Sequence, residues 1–534
     1  MQNETVVPPG GNFATPASSS TPLLALRCNP SLRPYLPEDA NSASFGGGIL
    51  VDALVRFSEI AGAVPISLPE NATDTMLSVT ASIEGVDVSF TQSTVPLNGT
   101  AELFFDLSVL TPQTEPFNVT CTATDSTNTT FTATTQLSFL PDPPSDIGSV
   151  TKMDLRTGGL LAKPLGGDGD YAAVFPVGFY GSFDGYLDAN KSVLETLKAQ
   201  GFNVLHPVPS FDNTTALNQM LDWMEELEMY LIYDMRGTYM NLTSVTAQVE
   251  SLKSRANLLL YYSADEPDGP SDPTNGTSIA QSLLTSLDPY HPTSLVLNCF
   301  DYFFEDYASG GDIILQDVYE IGNNVTFSTQ WGTVCTDEQG DCGCDDCKGE
   351  FEDIRTRVET FRERFEVLGW EREKRMWTVP QGFGNDTYWK RFPTGAEWLI
   401  EAIVGINAGA LGVTSWIDPT PADIKSAASS LALSVPSLTP FILPIFPSTS
   451  TFKHVVTDDR IDVGVWTLAP SNQTLLLAAN LNYFNASIGL NEVLGDASSS
   501  GVVAQQVLDG GATLDAQGGQ IVFGSVQSGA WIVG

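Results

Sequence analysis

The chain of 534 residues is too long for one hydrophobic core and divides into several domains. It carries 24 basic against 64 acidic side chains, a formal net charge of −40, which leaves it ill suited to nucleic acid or anionic membrane, since both call for a basic face. A hydrophobic content of 42% is that of a folded protein, so the acidity belongs to a surface and not to a disordered chain.

Residues 1–40 are rich in Pro, Ser, Thr and Gly and read as an extended N-terminal arm. From 41 to 150, short alternating runs over 77–83, 101–107 and 131–140, separated by turn residues, predict a β-sandwich. Pro141-Asp142-Pro143-Pro144 is a stiff linker. Residues 151–445 then alternate strand and helix. Strands are expected over 174–183, 202–208, 229–236, 258–265, 294–300, 312–319, 375–379 and 410–416, with helices over 191–200, 218–227 and 350–368. Eight such units are the count of a (β/α)8 TIM barrel. An open doubly wound sheet is the alternative, but no Gly-x-Gly-x-x-Gly follows the first strand. An insertion over 322–348 reads as a loop stapled across the carboxyl face of the barrel, shaping a cleft. From 446 to 534 the alternation returns and predicts a C-terminal β-sandwich, read as packing against the barrel in preference to a sugar-binding module.

Asn-x-Ser/Thr sequons begin at Asn3, Asn71, Asn98, Asn118, Asn128, Asn190, Asn213, Asn241, Asn275, Asn324, Asn385, Asn472 and Asn485. Spread over the whole chain, they point to a secreted, extracellular glycoprotein with N-linked glycans. Met1 followed directly by Gln-Asn-Glu-Thr reads as a start placed on a mature chain, and the composition suits a fungal protein. The insertion carries Trp331 and four cysteines, Cys335, Cys342, Cys344 and Cys347, which fit two disulfides; a zinc site is the rival. Cys28 and Cys121 are placed to bridge within the N-terminal region, and Cys299 reads as a buried free thiol.

The stretch 258–269 organises the rest. Five apolar or aromatic residues, Leu258 to Tyr262, read as a doubly buried strand that stops at Asp265-Glu266-Pro267-Asp268-Gly269. Two carboxylates then stand at the carboxyl end of a barrel strand, where such folds place their chemistry. The other strand ends deliver Tyr180, His206, Asp234, Arg236, Asn298, Tyr302, Asp317, Tyr319, Glu320, Trp377, Gln381 and Trp416. Carboxylates with aromatic platforms and almost no cations suit a neutral sugar: rings stack on its apolar face and carboxylates bind its hydroxyls. Glycosidic cleavage needs a protonated carboxylic acid and a second group at the anomeric carbon. Crowded carboxylates supply the first by raising a pKa. Glu266 is the expected proton donor, with Asp265 orienting the reacting group or tuning its pKa. No metal and no cofactor are expected, because His206, His291 and His454 are widely spaced.

Ala264-Asp265-Glu266-Pro267, Leu315-Gln316-Asp317-Val318-Tyr319, Val379-Pro380-Gln381-Gly382-Phe383, Phe392-Pro393-Thr394-Gly395-Ala396-Glu397-Trp398 and Gly409-Ala410-Leu411-Gly412 together resemble (β/α)8-barrel glycoside hydrolases across about 170–440. The Asp-Glu-Pro strand-four motif is loosely similar to the β-N-acetylgalactosaminidase and hexosaminidase type. That resemblance implies attack by the sugar's own 2-acetamido group, with Asp265 orienting it, Glu266 protonating the leaving group, and Tyr319 or Tyr302 holding the acetamido oxygen. In the largest clan of such barrels strand seven ends in a nucleophilic Glu; here Gln381 stands there, and an amide cannot attack. The remaining option pairs Glu266 with Asp317 or Glu320 on strand six. A different class of reading is a non-catalytic carbohydrate-binding or cell-wall protein on a degenerate barrel. Thr394 and Glu397 are expected to form a capping box.

Overall fold

The computed structural model describes residues 10–42, 44, 46–68, 75–167, 169–328, 332–335, 343–495 and 504–534. Eight parallel strands close into a barrel in chain order: β1 (Val177–Ser182), β2 (Val204–Val208), β3 (Tyr230–Asp234), β4 (Leu258–Asp265), β5 (Thr293–Leu297), β6 (Ile313–Gln316), β7 (Arg375–Thr378) and β8 (Val413–Asp418). The closed barrel, with β-sheets on either side of it in the chain, is the predicted fold class.

The amino end of the barrel is shut. A small antiparallel sheet of Leu32–Arg33, Thr151–Asp154, Leu160–Ala162 and Ala172–Val174 leads into β1. Its Met153, Leu160 and Val174, with Leu155 just beyond the strand, share one apolar cluster with the interior residues Val204, Ile232, Leu259 and Trp377. This leaves the carboxyl face as the open end. Helix Gly395–Ala408 is buried on almost every side. Its apolar all-round sequence follows from lying between the barrel and the C-terminal sheet, where Asn407 Nδ2 donates to Asp462 Oδ1 at 2.7 Å and to the Leu477 carbonyl at 3.0 Å. The helix opens on the Thr394/Glu397 capping box.

The stretch 1–40, expected to be an arm, holds the long strand Ser18–Pro30. It pairs antiparallel with Gly48–Ser58 and is buried from Leu23 onward. The Pro- and Ser-rich flank conceals the run Leu23-Leu24-Ala25-Leu26, whose one face joins the core with Val51, Leu77 and Val119. From the other face Arg27 reaches Glu371 of the barrel at 2.8 Å. Two further ion pairs fix the same junction, Arg33–Asp312 at 2.7 Å and Arg372–Asp52 at 2.5 Å. The disulfide Cys28–Cys121 joins the two N-terminal sheets. Downstream, a five-stranded and a three-stranded sheet form the C-terminal layer pair.

In the insertion, Cys344–Cys347 is a disulfide and Cys335 is disulfide-bonded, so the zinc alternative falls. Trp331 and Cys342 lie outside the described residues. Arg357 ties this loop to the carboxyl face, donating to the Asp345 carbonyl at 2.6 Å and the Asn298 carbonyl at 2.8 Å. Cys299 is a buried free thiol. Among the described residues no helix is long and apolar enough to cross a membrane.

Lys152 has no solvent exposure and its ammonium sits 2.8 Å from both oxygens of Asp39, over the Tyr171 ring. Removing one partner strands a buried charge. Lys152→Ala is expected to lower unfolding stability by about 3–5 kcal/mol. Replacing both partners with apolar residues, Lys152→Met with Asp39→Leu, is expected to cost far less; urea denaturation of the two variants checks the contrast.

Candidate active site

β4 is irregular, and its irregularity shapes the site. Pairing with β3 steps from Leu231↔Leu258 to Ile232↔Leu260, and pairing with β5 steps from Tyr262↔Ser294 to Ala264↔Leu295. Each step inserts one extra residue in β4, and bulges of this kind re-aim side chains beside functional sites. The strand ends at Asp265; Glu266 then takes a left-handed backbone, φ 46°. A non-glycine residue in that region costs of order 1–3 kcal/mol and has to be held there. The turn is held by Glu266 N–H donating to the Val296 carbonyl at 3.2 Å and Gly269 N–H donating to the Glu266 carbonyl at 3.1 Å. Asp268 fastens the same turn to β5, accepting from the backbone N–H of Cys299 at 2.8 Å and of Asn298 at 3.2 Å.

Five barrel strands, β1 to β4 and β8, build the floor around Asp265. Its Oδ2 accepts from Arg236 at 2.6 Å and its Oδ1 from the Tyr262 hydroxyl at 2.5 Å. Arg236 also binds Asp234 at 2.7–2.8 Å, and Asp234 in turn accepts from His206 Nε2 at 2.8 Å. The His206 ring stacks on Tyr180 at 3.9 Å and meets Tyr262 edge-on at 4.5 Å. Trp416 closes the row, 5.2 Å from Tyr180, with the Arg236 guanidinium 4.8 Å from its ring centre. On the far side Asp317 lies within hydrogen-bonding reach of Glu266, and Tyr319 packs edge-on against Phe383 at 4.9 Å, its carbonyl accepting from Trp389 Nε1.

Burial sets the electrostatics, and the neighbours sort the groups. Burial pushes Asp265 up to about 7: Arg236 opposes the rise, while the charge of Glu266 adds to it. Asp268 is likewise pushed up to about 7 by burial, against the pull of its two amide donors. Asp317 is raised well above the carboxylate range by burial and by Glu266, and its Oδ1 has no conventional donor, so its surroundings favour the protonated form. Burial would raise Asp234 too, but Arg236 and His206 hold it below its usual value. Burial lowers His206, which stays neutral, with Nε2–H on Asp234 and an unpaired Nδ1. The floor is therefore two carboxyls sharing one guanidinium, beside a buried Asp317 that is pushed toward its protonated form.

The structure brings together Tyr180, His206, Asp234, Arg236, Asp265, Glu266, Asp317, Tyr319 and Trp416, with Asn298 on the neighbouring turn. Four expected contacts lie elsewhere. Gln381 is fully buried and its amide is spent on backbone: Oε1 accepts from Ile321 N–H at 3.0 Å, and Nε2 donates to the Ile321 and Phe383 carbonyls, each at 3.1 Å. Trp377 is 2% exposed and fills the barrel interior beneath the floor. Tyr302 packs into the apolar cluster of Phe304 and Tyr307 outside the barrel wall. Glu320 points away from Asp265: its charged neighbours are Asp353, Glu397 and Glu352, and it faces the equally buried Glu401. Tyr262 and Asp268 are the participants that sequence reasoning missed. The Asp268 signal was its place in the Glu-Pro-Asp-Gly turn; Tyr262 is masked by the strand's apolar run.

Removing Arg236 takes away the main influence that keeps Asp265 acidic. Arg236→Gln is expected to drive the Asp265 titration above 7, and Tyr262→Phe to do so by less; carboxyl infrared or 13C NMR titration reads both. A second outcome follows for stability. Asp265, Asp268, Glu320 and Glu401 all have folded pKa values above those of the unfolded chain. Unfolding therefore releases protons, and their contribution to stability falls as pH rises from about 4 to about 7. Urea midpoints are expected to increase on acidification from pH 7 to pH 5, with a smaller increase in Glu320→Gln.

No protein-family model and no curated protein matches the chain. Among solved structures it is similar to a candidate alpha-galactosidase/melibiase from Bacteroides fragilis, at 11% identity over 99% of both chains with a TM-score of 0.43. It is also similar to a GH30 endoxylanase from Clostridium papyrosolvens, at 11% identity over 68% of this chain and 96% of that one (TM-score 0.41). An alpha-amylase from Geobacillus thermoleovorans gives 10% identity over 66% and 93%, with a TM-score of 0.40. None of these likenesses is close enough to assign a family.

Proposed function

We propose that the chain is a secreted glycoside hydrolase that cleaves an oligo- or polysaccharide with the carboxyl cluster at the ends of β4 and β6. The observation that carries this reading is the Glu266/Asp317 pair. Two carboxyls lie in hydrogen-bonding reach, and burial with the neighbouring charge raises Asp317 well above the carboxylate range, the direction that a general acid requires. Glu266 is the more exposed of the two and delivers the proton to the glycosidic oxygen; Asp317 stores it. Asp265 has a donor on each oxygen, from Arg236 and Tyr262, which suits it to orienting a substrate group more than to attack. Trp416, Tyr319 and Phe383 offer the aromatic faces on which a pyranose stacks.

This arrangement favours help from the substrate itself. β7 brings no carboxylate, because Gln381 is turned into the backbone. A 2-acetamido sugar carries its own nucleophile and needs only an orienting Asp and an acid. A non-catalytic carbohydrate-binding protein is the second reading, favoured by the same spent Gln381.

The test is hydrolysis of aryl glycosides and complex polysaccharides, N-acetylhexosaminides included, by the parent chain, Glu266→Gln and Asp317→Asn. Glu266→Gln is expected to lower kcat by about 10²–10⁴-fold, and Asp317→Asn to shift the basic limb of the pH profile downward. Activity confined to 2-acetamido sugars selects the substrate-assisted route. Full activity in Glu266→Gln removes the assignment, and glycan binding without turnover on the whole panel selects the binding protein.

A further inference from the structure

The sequons of the barrel share one face. Asn190 follows β1, Asn213 follows β2, Asn241 follows β3, Asn275 follows β4, Asn324 follows β6 and Asn385 follows β7, and all six are exposed. Each lies on a strand-to-helix loop, so they stand around the open carboxyl face that holds the cleft. The helix-to-strand loops carry no sequon. The amino face is the one covered by the plug sheet and by the Arg27–Glu371, Arg33–Asp312 and Arg372–Asp52 pairs.

Local chemistry leaves the reactive atom free at several of these positions. Asn190, Asn213 and Asn241 each cap a helix, Oδ1 accepting from the N–H of Ser192 at 3.0 Å, of Ala216 at 3.1 Å and of Ser244 at 3.2 Å. Asn324 Oδ1 accepts from the hydroxyl of Thr326 at 2.8 Å and its N–H at 3.1 Å. In all four the oxygen is turned into the protein, so Nδ2, which takes the glycan, diverges from it toward solvent. A cap and a glycan use opposite ends of one carboxamide.

We infer that these six asparagines carry N-linked glycans and form a fence around the mouth of the cleft, one that keeps folded proteins, proteases among them, off the strand-to-helix loops. Glycans are bulky and strongly hydrated. With Asn190, Asn213, Asn241 and Asn275 set at helix starts and Asn324 and Asn385 on longer loops, they leave the centre of the barrel open while a flat macromolecular surface is held away. The loops they guard hold the Glu266 turn and the Cys344–Cys347 insertion, and exposed loop tips are the preferred sites of nicking. This inference rests on the secretory part of the reading above and not on its catalytic part.

The experiment uses the full chain, secreted from a eukaryotic host behind a leader. Glycopeptide mass mapping reads occupancy at all thirteen sequons. Limited thermolysin digestion then compares the intact glycoprotein with the same protein after native enzymatic glycan removal. Occupancy at the six ring positions, with cleavage in the strand-to-helix loops faster by about tenfold after glycan removal, is the expected result. Bare ring positions alongside glycans at Asn118, Asn472 or Asn485 overturn the fence while leaving secretion intact. Equal cleavage rates before and after removal also overturn it. A chain with no glycan anywhere overturns the secretory reading, and the fence with it.

Discussion

One guanidinium makes the carboxyl face possible. Arg236 binds Asp234 and Asp265 together, and both would otherwise be buried acids in a protein that carries forty excess negative charges. A buried charge without a partner is far costlier than a paired one. Burial works against Arg236, but the two carboxylates more than offset it and raise its pKa further above its already high value. The aromatic wall follows from the same constraint. Tyr180, Tyr262 and Trp416 surround the guanidinium at ring-to-cation distances of 4.8–5.6 Å, excluding water and offering their electron-rich faces to the cation. Among the described residues, Asp317, farther round the face, has no cation as a neighbour, and burial with the charge of Glu266 raises it well above the carboxylate range.

The two ends of the barrel divide their tasks by charge pairing. At the amino face acids meet bases one to one: Lys152 with Asp39, Arg33 with Asp312, Arg372 with Asp52. Those contacts are spent on joining the N-terminal sheets to the barrel. At the carboxyl face the acids outnumber the bases, and the excess appears as raised pKa values at Asp265, Asp268 and Asp317. Perturbed titration collected at one barrel face is the physical mark of a functional site. The buried Glu320/Glu401 pair shows that the mark alone is insufficient, since it faces a helix and not the cleft.

Much of the barrel was legible because its strands are apolar runs broken by turn residues; 258–265 coincides with β4, and helix Lys191–Ala199 begins where expected. The acidic strand end was legible because Pro267 and Gly269 stop the run just after two carboxylates. What escaped was the direction in which side chains point. Trp377 and Gln381 lie close along one strand and its exit, yet one fills the interior and the other locks onto Ile321, a choice made by neighbours distant in sequence. Tyr262 escaped because two bulges shift the phase of β4: simple alternation puts it on the same outer face as Leu258, whereas it joins the barrel interior. Composition misled at the N-terminus: Ser, Pro and Thr around residue 20 signal an arm, while four apolar residues just beyond them bury a strand on both faces.

That strand has a further consequence, in the order of assembly. Ser18–Pro30 is among the first segments to leave the ribosome, yet Arg27 finds Glu371 and the Glu366 carbonyl only after some 340 more residues have been made. Long-range closure of this kind is slow, because the loop entropy is lost before any contact rewards it. Until the segment before β7 emerges, Arg27, Asp52 and Arg56 on the outward face of the first sheet lack Glu371, Arg372 and Glu366, their partners. Through most of synthesis the nascent chain thus carries charged groups whose partners have yet to be made, and a folding helper that shields this sheet would have its work at the beginning of the chain, not in the barrel.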